Sequence, residues 1–208
     1  GTRVFSKIIF GRYHHPKEEN RMFLFLDLDS STHIAETLGH VKYSKLLQSC
    51  FSDLSICIIQ SNGEIYQFVG DEAVVTWPIK KKQDYLDSIK LYYRFQKRLN
   101  NQSDYYKTHF GIVPHFSGSI NAGIVTVAEV GGETKTEIAY HGDVLNTAAR
   151  ILEQAKLKDY PLLLNESVFQ GLTGINHTYS FSYGGKMILR GKKKPISFYS
   201  MEKRFPLG

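Results

Sequence analysis

The stretch Met22-Phe-Leu-Phe-Leu-Asp-Leu-Asp29 decides the fold, because this apolar run is too short and bulky for a helix and predicts a buried strand. Alternate side chains of a strand share a face, so Phe23, Phe25 and Asp27 lie on one face and the leucines on the other. A carboxylate that continues a row of phenylalanines is costly unless a cation or a hydrogen-bond donor meets it. Asp27 is therefore a candidate functional residue. The alternative is that Asp27 or Asp29 caps the following helix.

The segments after this strand predict alternating helices and strands. An amphipathic stretch over residues 33–60 predicts a long helix, and residues 64–69 and 73–77 predict a hairpin that turns through Gly70-Asp71-Glu72. A second helix is expected before the strand-like residues 116–130. Strand, helix, hairpin, helix and strand, in that order, are typical of a split βαβ, or ferredoxin-like, sheet.

The C-terminal third adds a helix and short strands to that sheet. Gly142-Asp143 opens a helix, and residues 161–165 and 186–201 predict short strands. The expected apolar face of the helix consists of Leu145, Ala148, Ala149 and Leu152. We therefore expect one α+β domain over residues 21–203, a ferredoxin-like sheet with C-terminal additions, preceded by a linker or flap over residues 1–20.

Length and charge indicate one domain with a phosphate-bearing partner. The chain has 208 residues and a formal net charge of +6. That charge suits a nucleoside triphosphate, but by itself it does not distinguish this partner from nucleic acid or an anionic membrane. The lysine runs at residues 80–82 and 192–194 predict solvated edges, and the alternative is phosphate contacts.

Cysteine spacing and hydropathy indicate in which cellular compartment the domain is expected. Cys50 and Cys57 lie in a helical pattern, which predicts core side chains rather than a disulfide or a metal site. No apolar run is long enough to span a membrane, and the chain starts at Gly1 rather than at a methionine. We expect a cytoplasmic domain, either free or attached to an upstream membrane or sensor region as part of a membrane-anchored protein.

Asp27 and Asp71 are more informative together than separately. Alone, Asp71 fits an ordinary hairpin turn. In a split βαβ sheet, however, the first strand lies beside the hairpin, so the two carboxylates are expected to face one another. Such a pair repels strongly unless a divalent cation lies between its members. Oxygen ligands of this kind bind Mg²⁺ or Mn²⁺ and leave room for substrate phosphates, as in two-metal phosphoryl chemistry.

A second pair, Asn146 and Arg150, is four residues apart and therefore on one face of the last long helix. Arginine suits charge that develops on phosphate oxygens during phosphoryl transfer. The alternative is an ordinary exposed polar face.

Three motifs together resemble the class III adenylate/guanylate cyclases. They are Phe25-Leu-Asp27-Leu-Asp-Ser-Ser-Thr32, Phe68-Val-Gly-Asp71-Glu-Ala-Val-Val75 and Gly142-Asp-Val-Leu-Asn146-Thr-Ala-Ala-Arg150-Ile-Leu-Glu153. The motifs occur in family order, and the resemblance runs from about Arg21 to Glu202. It implies a nucleotide cyclase that acts on a purine nucleoside triphosphate, not on nucleic acid, at sites shared across a homodimer.

The resemblance also implies roles for particular residues. Asp27 and Asp71 match the aspartates that bind two divalent cations, Mg²⁺ or Mn²⁺, with help from the carbonyl of Leu28. Asn146 and Arg150 match the pair that orients the ribose and stabilises the transition state at the other protomer's metals.

The basic motif Leu189-Arg-Gly-Lys192 falls where the family contacts the terminal phosphates, which implies that Arg190 and Lys192 bind substrate. The two positions that select the purine carry Gln67 and Ala139 here. Adenylate cyclases usually have lysine and aspartate or threonine at these positions, and guanylate cyclases usually have glutamate and cysteine. We expect ATP to be preferred.

Three other interpretations remain. A diguanylate cyclase has a related sheet, but Val69 and Ala73 replace the first glycine and the phenylalanine of its turn motif. A degenerate cyclase-like domain would bind nucleotide or only dimerise, as a regulatory domain without turnover. A generic ferredoxin-like interaction domain would give no functional reason for either the Asp27/Asp71 pair or the Asn146/Arg150 pair.

Overall fold

The computed structural model describes residues 13–132, 135–174, 178–188 and 194–203. The described residues form eight strands and six α-helices. The strands are β1 (Lys17–Leu28), β2 (Glu64–Val69), β3 (Glu72–Pro78), β4 (Phe116–Gly132), β5 (Lys135–His141), β6 (Leu162–Asn165), β7 (Tyr179–Met187) and β8 (Ile196–Lys203). The helices are α1 (Ser31–Leu38), α2 (His40–Ile59), α3 (Tyr85–Asn101), α4 (Ser103–Phe110), α5 (Asp143–Leu157) and α6 (Glu166–Leu172).

All eight strands belong to one sheet. Its order is β2-β3-β1-β4-β6-β8-β7, and β5 pairs with β4 outside this path. The part β2-β3-β1-β4 has the strand order of a ferredoxin-like sheet, and β6, β8 and β7 extend it at one side. The predicted α+β fold with C-terminal additions is therefore confirmed.

Strand β1 separates two apolar layers. Its leucines at 24, 26 and 28 are buried in the layer that contains α2 and α3. Phe23 and Phe25 are buried on the opposite face, in a layer that contains Val144, Ala148 and Leu152 of α5. The structure thus shows the predicted alternation of phenylalanine and leucine side chains between the two faces of β1. Helix α5 covers the face that carries Phe23 and Phe25, which is also the face of Asp27.

Three boundaries differ from expectation, and one is the strand expected over residues 186–201, whose described residues include parts of two strands, β7 and β8. Strand β1 begins at Lys17 rather than near Arg21, because the polar residues before Arg21 also pair with β4. The helix expected over residues 33–60 is two helices that meet at Gly39, whose φ of 73° interrupts a right-handed helix. This break turns the short helix α1 away from α2, directly after the end of β1.

Helix α5 buries a broader face than its apolar residues predicted. Ala148 and Leu152 are buried as expected, whereas Leu145 and Ala149 are only partly buried. The residues that the prediction missed are Val144, Thr147, Ile151 and Ala155. The cause is the width of the sheet, because Ile151 and Ala155 pack against Leu163 of β6 and Phe198 of β8.

The structure confirms that Cys50 and Cys57 are buried, free thiols. None of the helices in the described part of the chain is both long and apolar enough to cross a membrane.

Gly123 of β4 sets how closely α5 approaches the sheet. A Cβ at this position would lie 2.9 Å from Cγ2 of Val144, which belongs to a stiff, β-branched side chain. We expect Gly123→Ala to lower the free energy of unfolding by about 1–3 kcal/mol, the usual cost of overpacking. Gly132→Ala, on the same strand but with no described atom within 4 Å of the added Cβ, is expected to change it by less than about 0.5 kcal/mol. Equal free energies of unfolding for the two variants, measured by urea denaturation, would contradict the close contact between Gly123 and Val144.

Candidate active site

Asp27 lies at the end of the central strand, between two neighbouring strands. Its partner in β3 is Glu72, and its partner in β4 is Ser117. The side chain is 21% exposed. Because hydrogen-bonded strands hold the backbone on both sides, the carboxylate stays at this edge of the sheet.

Asp71 reaches the same edge from the hairpin. It follows Gly70, whose φ of 59° reverses the chain between β2 and β3. The next residue, Glu72, is the strand partner of Asp27. The structure therefore brings Asp27 and Asp71 together where the sequence predicted.

Neighbouring acids make ionisation of Asp27 and Glu72 more costly. Burial raises the pKa of Asp27, the charges of Asp71 and Asp29 raise it further, and Lys156 opposes the rise. Burial, together with the charges of Asp27 and Asp71, raises the pKa of Glu72 to about 7. A cation at this edge would relieve the repulsion.

Asp29 has a structural role rather than a capping role. It accepts hydrogen bonds from Ser117 Oγ at 2.6 Å and pairs with His115 Nδ1 at 2.5 Å. Burial by itself raises the pKa of Asp29, but the hydrogen bonds from His115 and Ser117 lower it overall. The N-cap residue of α1 is Ser30, and no side-chain hydrogen bond caps this helix. The alternative that Asp27 or Asp29 caps the helix is therefore wrong.

Lys156 is the residue that the sequence analysis missed. It lies in the last turn of α5, and its ammonium group contacts Oδ1 of Asp27 and lies 3.4 Å from the carbonyl oxygen of Leu28. A signal was present, because Lys156 is four residues after Leu152 and seven after Ala149. That spacing continues the helix face that packs on β1 toward the strand end that carries Asp27.

Asn146 and Arg150 are exposed on α5. The guanidinium of Arg150 forms an ion pair with Glu153 at 2.8 Å. Within the described ranges, no hydrogen bond or ion pair joins Asn146 or Arg150 to Asp27 or Asp71. The two pairs of candidate residues thus remain separate in one protomer.

The two candidate purine-selecting residues lie on different strands, whose neighbouring residues Tyr66 and Tyr140 are in ring contact at 4.9 Å. Gln67 of β2 pairs with Val74, which places its side chain on the sheet face covered by α5. Ala139 of β5 lies between Ile138 and Tyr140, which are both buried on that face, so the methyl group of Ala139 points to the other face. Arg190 and Lys192, the candidate phosphate contacts, lie outside the described residues.

A cavity of about 500 Å³ adjoins Asp71. Its lining comes from α1, the start of α2 and the hairpin turn, and consists of Ser31, Thr32, Ala35, Glu36, Gly39, His40, Tyr43 and Asp71. A larger groove of about 1030 Å³ lies between α2 and α4 and contains none of the candidate residues. Of these two cavities, the smaller is the one that adjoins a candidate residue.

The chain belongs to the adenylate and guanylate cyclase catalytic domain family, whose model matches residues 13–202. This match includes the motifs around Asp27, Asp71 and Asn146. The predicted family is confirmed.

Named relatives agree with this family. Adenylate cyclase 2 of Rhizobium meliloti is 29% identical over 172 residues, which cover 83% of this chain and 47% of the relative. The chain spans less than half the length of the curated relatives that it matches. The adenylyl cyclase CyaB from P. aeruginosa has the same fold, with a TM-score of 0.79 at 18% identity, covering 93% of this chain and all of that one. The guanylyl cyclase Cya2 gives a TM-score of 0.76 at 19% identity, covering 94% and 97%.

Removing one acid from this edge is expected to stabilise the metal-free protein. In chelator at pH 8, we expect Asp71→Asn to raise the free energy of unfolding by up to about 1 kcal/mol, because the substitution removes a like charge from the neighbourhood of Asp27. Asp104→Asn is the control. Asp104 lies in the first turn of α4, where a negative charge is favourable, so this variant is expected to be unchanged or less stable. A loss of stability in Asp71→Asn would show that the acids do not repel one another.

Proposed function

We propose that this domain is a nucleotide cyclase that converts a purine nucleoside triphosphate, with ATP preferred, to the 3′,5′-cyclic monophosphate and pyrophosphate. The observation that carries the proposal is the meeting of Asp27 and Asp71 at one sheet edge, in a chain of the cyclase catalytic domain family. Two divalent cations, Mg²⁺ or Mn²⁺, belong at this edge in the proposal. The complete sites lie between the protomers of a homodimer.

The residues at the edge fit a divalent cation. Asp27, Asp71 and the carbonyl of Leu28 offer the oxygen ligands that Mg²⁺ and Mn²⁺ prefer. An ammonium group already contacts Asp27 and lies near the Leu28 carbonyl, so a positive charge is stable there. Among the described residues, no group of three or more His, Cys, Asp or Glu side chains is arranged to hold a metal ion. Substrate phosphates would therefore complete the coordination, as an open catalytic site requires.

The triphosphate would occupy the cavity next to Asp71. The first turn of α1 begins three residues after β1 ends, and no side chain caps its free N–H groups. A helix N-terminus of this kind attracts phosphate. Arg190 and Lys192 are proposed to contact the terminal phosphates.

The reaction is an intramolecular displacement. The ribose 3′ oxygen forms a bond with the α-phosphorus, the bond to the bridging oxygen breaks, and pyrophosphate leaves with the electron pair, while the 3′-hydroxyl proton passes to water. When bound, the cations would supply charge that lowers the pKa of the 3′-hydroxyl and neutralises the phosphates. Arg150 stabilises the charge on the phosphorus oxygens, and Asn146 holds the ribose in line.

The separation of the two residue pairs supports a shared site. Asn146 and Arg150 are exposed and do not contact Asp27 or Asp71 of their own protomer within the described residues. A two-fold dimer would bring one protomer's α5 to the other protomer's acids and would form two equivalent sites.

Weak purine selection follows from Gln67 and Ala139. A glutamine amide both donates and accepts hydrogen bonds, so it can suit either purine, and the alanine methyl group can form none. These departures also favour a second candidate, a cyclase-like regulatory domain that binds nucleotide or dimerises without turnover.

Subunit mixing tests the shared site. Asp27→Ala and Arg150→Ala proteins are each expected to be inactive, because every composite site lacks one essential group. After equal mixing and free exchange, half the dimers are heterodimers in which one site has both lesions and the other has none. We expect about a quarter of wild-type activity for independent sites related by a two-fold axis, measured as cyclic product per protein.

The control for this experiment is exchange itself, verified by pull-down of a tagged subunit. If exchange is complete and the mixture stays inactive, the shared-site model is wrong. If wild type is inactive as well but still binds nucleotide, the domain belongs to the second candidate class.

A further inference from the structure

Lys156 is the one basic side chain that contacts a candidate metal ligand among the described residues. Its ammonium group contacts Oδ1 of Asp27 and lies 3.4 Å from the carbonyl oxygen of Leu28. These are two of the three protein oxygen ligands assigned above to a divalent cation.

The contact with Asp27 is built into the fold. Lys156 belongs to the last turn of α5, whose apolar residues pack on β1 and β4. The side chains of Lys156 and Asp27 are 34% and 21% exposed, so the pair is partly shielded from water. A divalent cation at this position would compete with the ammonium group for Oδ1 of Asp27 and for the Leu28 carbonyl oxygen, and the like charges of the two cations would repel one another.

We propose that Lys156 is a tethered cation that occupies the metal position of its own protomer in the metal-free state and must leave Asp27 when a divalent cation binds. The proposal rests on the proposed metal site. Lys156 is then a positioning residue that stabilises the empty site and lowers its affinity for metal. Its flexible four-carbon chain allows the ammonium group to move into solvent without any movement of α5.

The opposing effects on stability and affinity distinguish this role from a merely structural one. In chelator, Lys156→Met is expected to be less stable than wild type, because Asp27 loses its counter-ion. With Mn²⁺ and no nucleotide, we expect the variant to bind Mn²⁺ about fivefold more tightly, the fold-change expected when a partly exposed ion pair no longer competes. The difference in melting temperature should therefore shrink or reverse as Mn²⁺ reaches saturation.

Lys158→Met is the matched control. Lys158 directly follows α5, donates to the carbonyl of Gly184 at 3.1 Å and lies over the ring of Phe198. Its replacement removes the same charge from the same end of the helix without touching Asp27. We expect its Mn²⁺ affinity to stay within about twofold of wild type, since exposed charges at a distance are screened.

Electron paramagnetic resonance of free Mn²⁺ measures the affinities, and thermal melts in chelator and in Mn²⁺ measure stability. Lys156→Gln serves as a second neutral variant if Lys156→Met does not fold. Unchanged or weaker Mn²⁺ binding in a folded neutral variant would overturn the proposal, as would an equal loss of stability in both solutions. If Asp27→Ala binds Mn²⁺ as well as wild type does, the proposed metal site itself is wrong.

Discussion

The carboxylates of Asp27 and Asp71 are held at one edge of the sheet, where Asp27 is partly shielded from water and the charge of Asp71 makes ionisation of Asp27 more costly. Asp27 cannot move away, because β3 and β4 pair with its strand on both sides. The hairpin turn holds Asp71 next to the strand partner of Asp27. A positive charge next to Asp27 relieves the repulsion between these carboxylates. Lys156 supplies this charge in the structure, and divalent cations supply it in the proposed function.

Helix α5 connects this edge with the rest of the molecule. Its buried face packs on β1, β4, β6 and β8. Both the ferredoxin-like strands and the C-terminal additions therefore fix the position of α5 on the sheet. Its last turn presents Lys156 to Asp27 of the same protomer, whereas its exposed face carries Asn146 and Arg150. A single rigid helix thus presents residues in two directions, which is the arrangement that a site shared between protomers requires.

Much of this arrangement was predictable from local patterns. The alternation of Phe23 and Phe25 with leucines identified both faces of β1, and the glycine turn located Asp71, because each signal depends only on neighbours in sequence. The break at Gly39 was missed, since amphipathic periodicity continues through it. The elements β5, α4 and α6 and most of β7 were also missed, because short segments at the edge of the fold carry weak periodicity.

The site itself shows where sequence reasoning reaches its limit. Asp27 and Asp71 were placed correctly because strand pairing in a split βαβ sheet follows from element order. Lys156 was not, because the predicted apolar face of α5 ended at Leu152, whereas the same helix face continues through Lys156 to the end of β1. The buried face of α5 was also predicted too narrowly, because side chains of α5 pack on the added strands β6 and β8 as well.

The central claim is that the acids at this edge serve cyclisation of a nucleoside triphosphate. Its most direct test is the cyclic nucleotide released by the purified domain with Mn²⁺ and either ATP or GTP, measured beside Asp27→Ala protein of equal fold content. We predict cyclic AMP from ATP, less cyclic GMP from GTP, and no product from the variant. Product from Asp27→Ala equal to that of wild type, or no cyclic product from wild type that binds nucleotide and metal, would contradict the account.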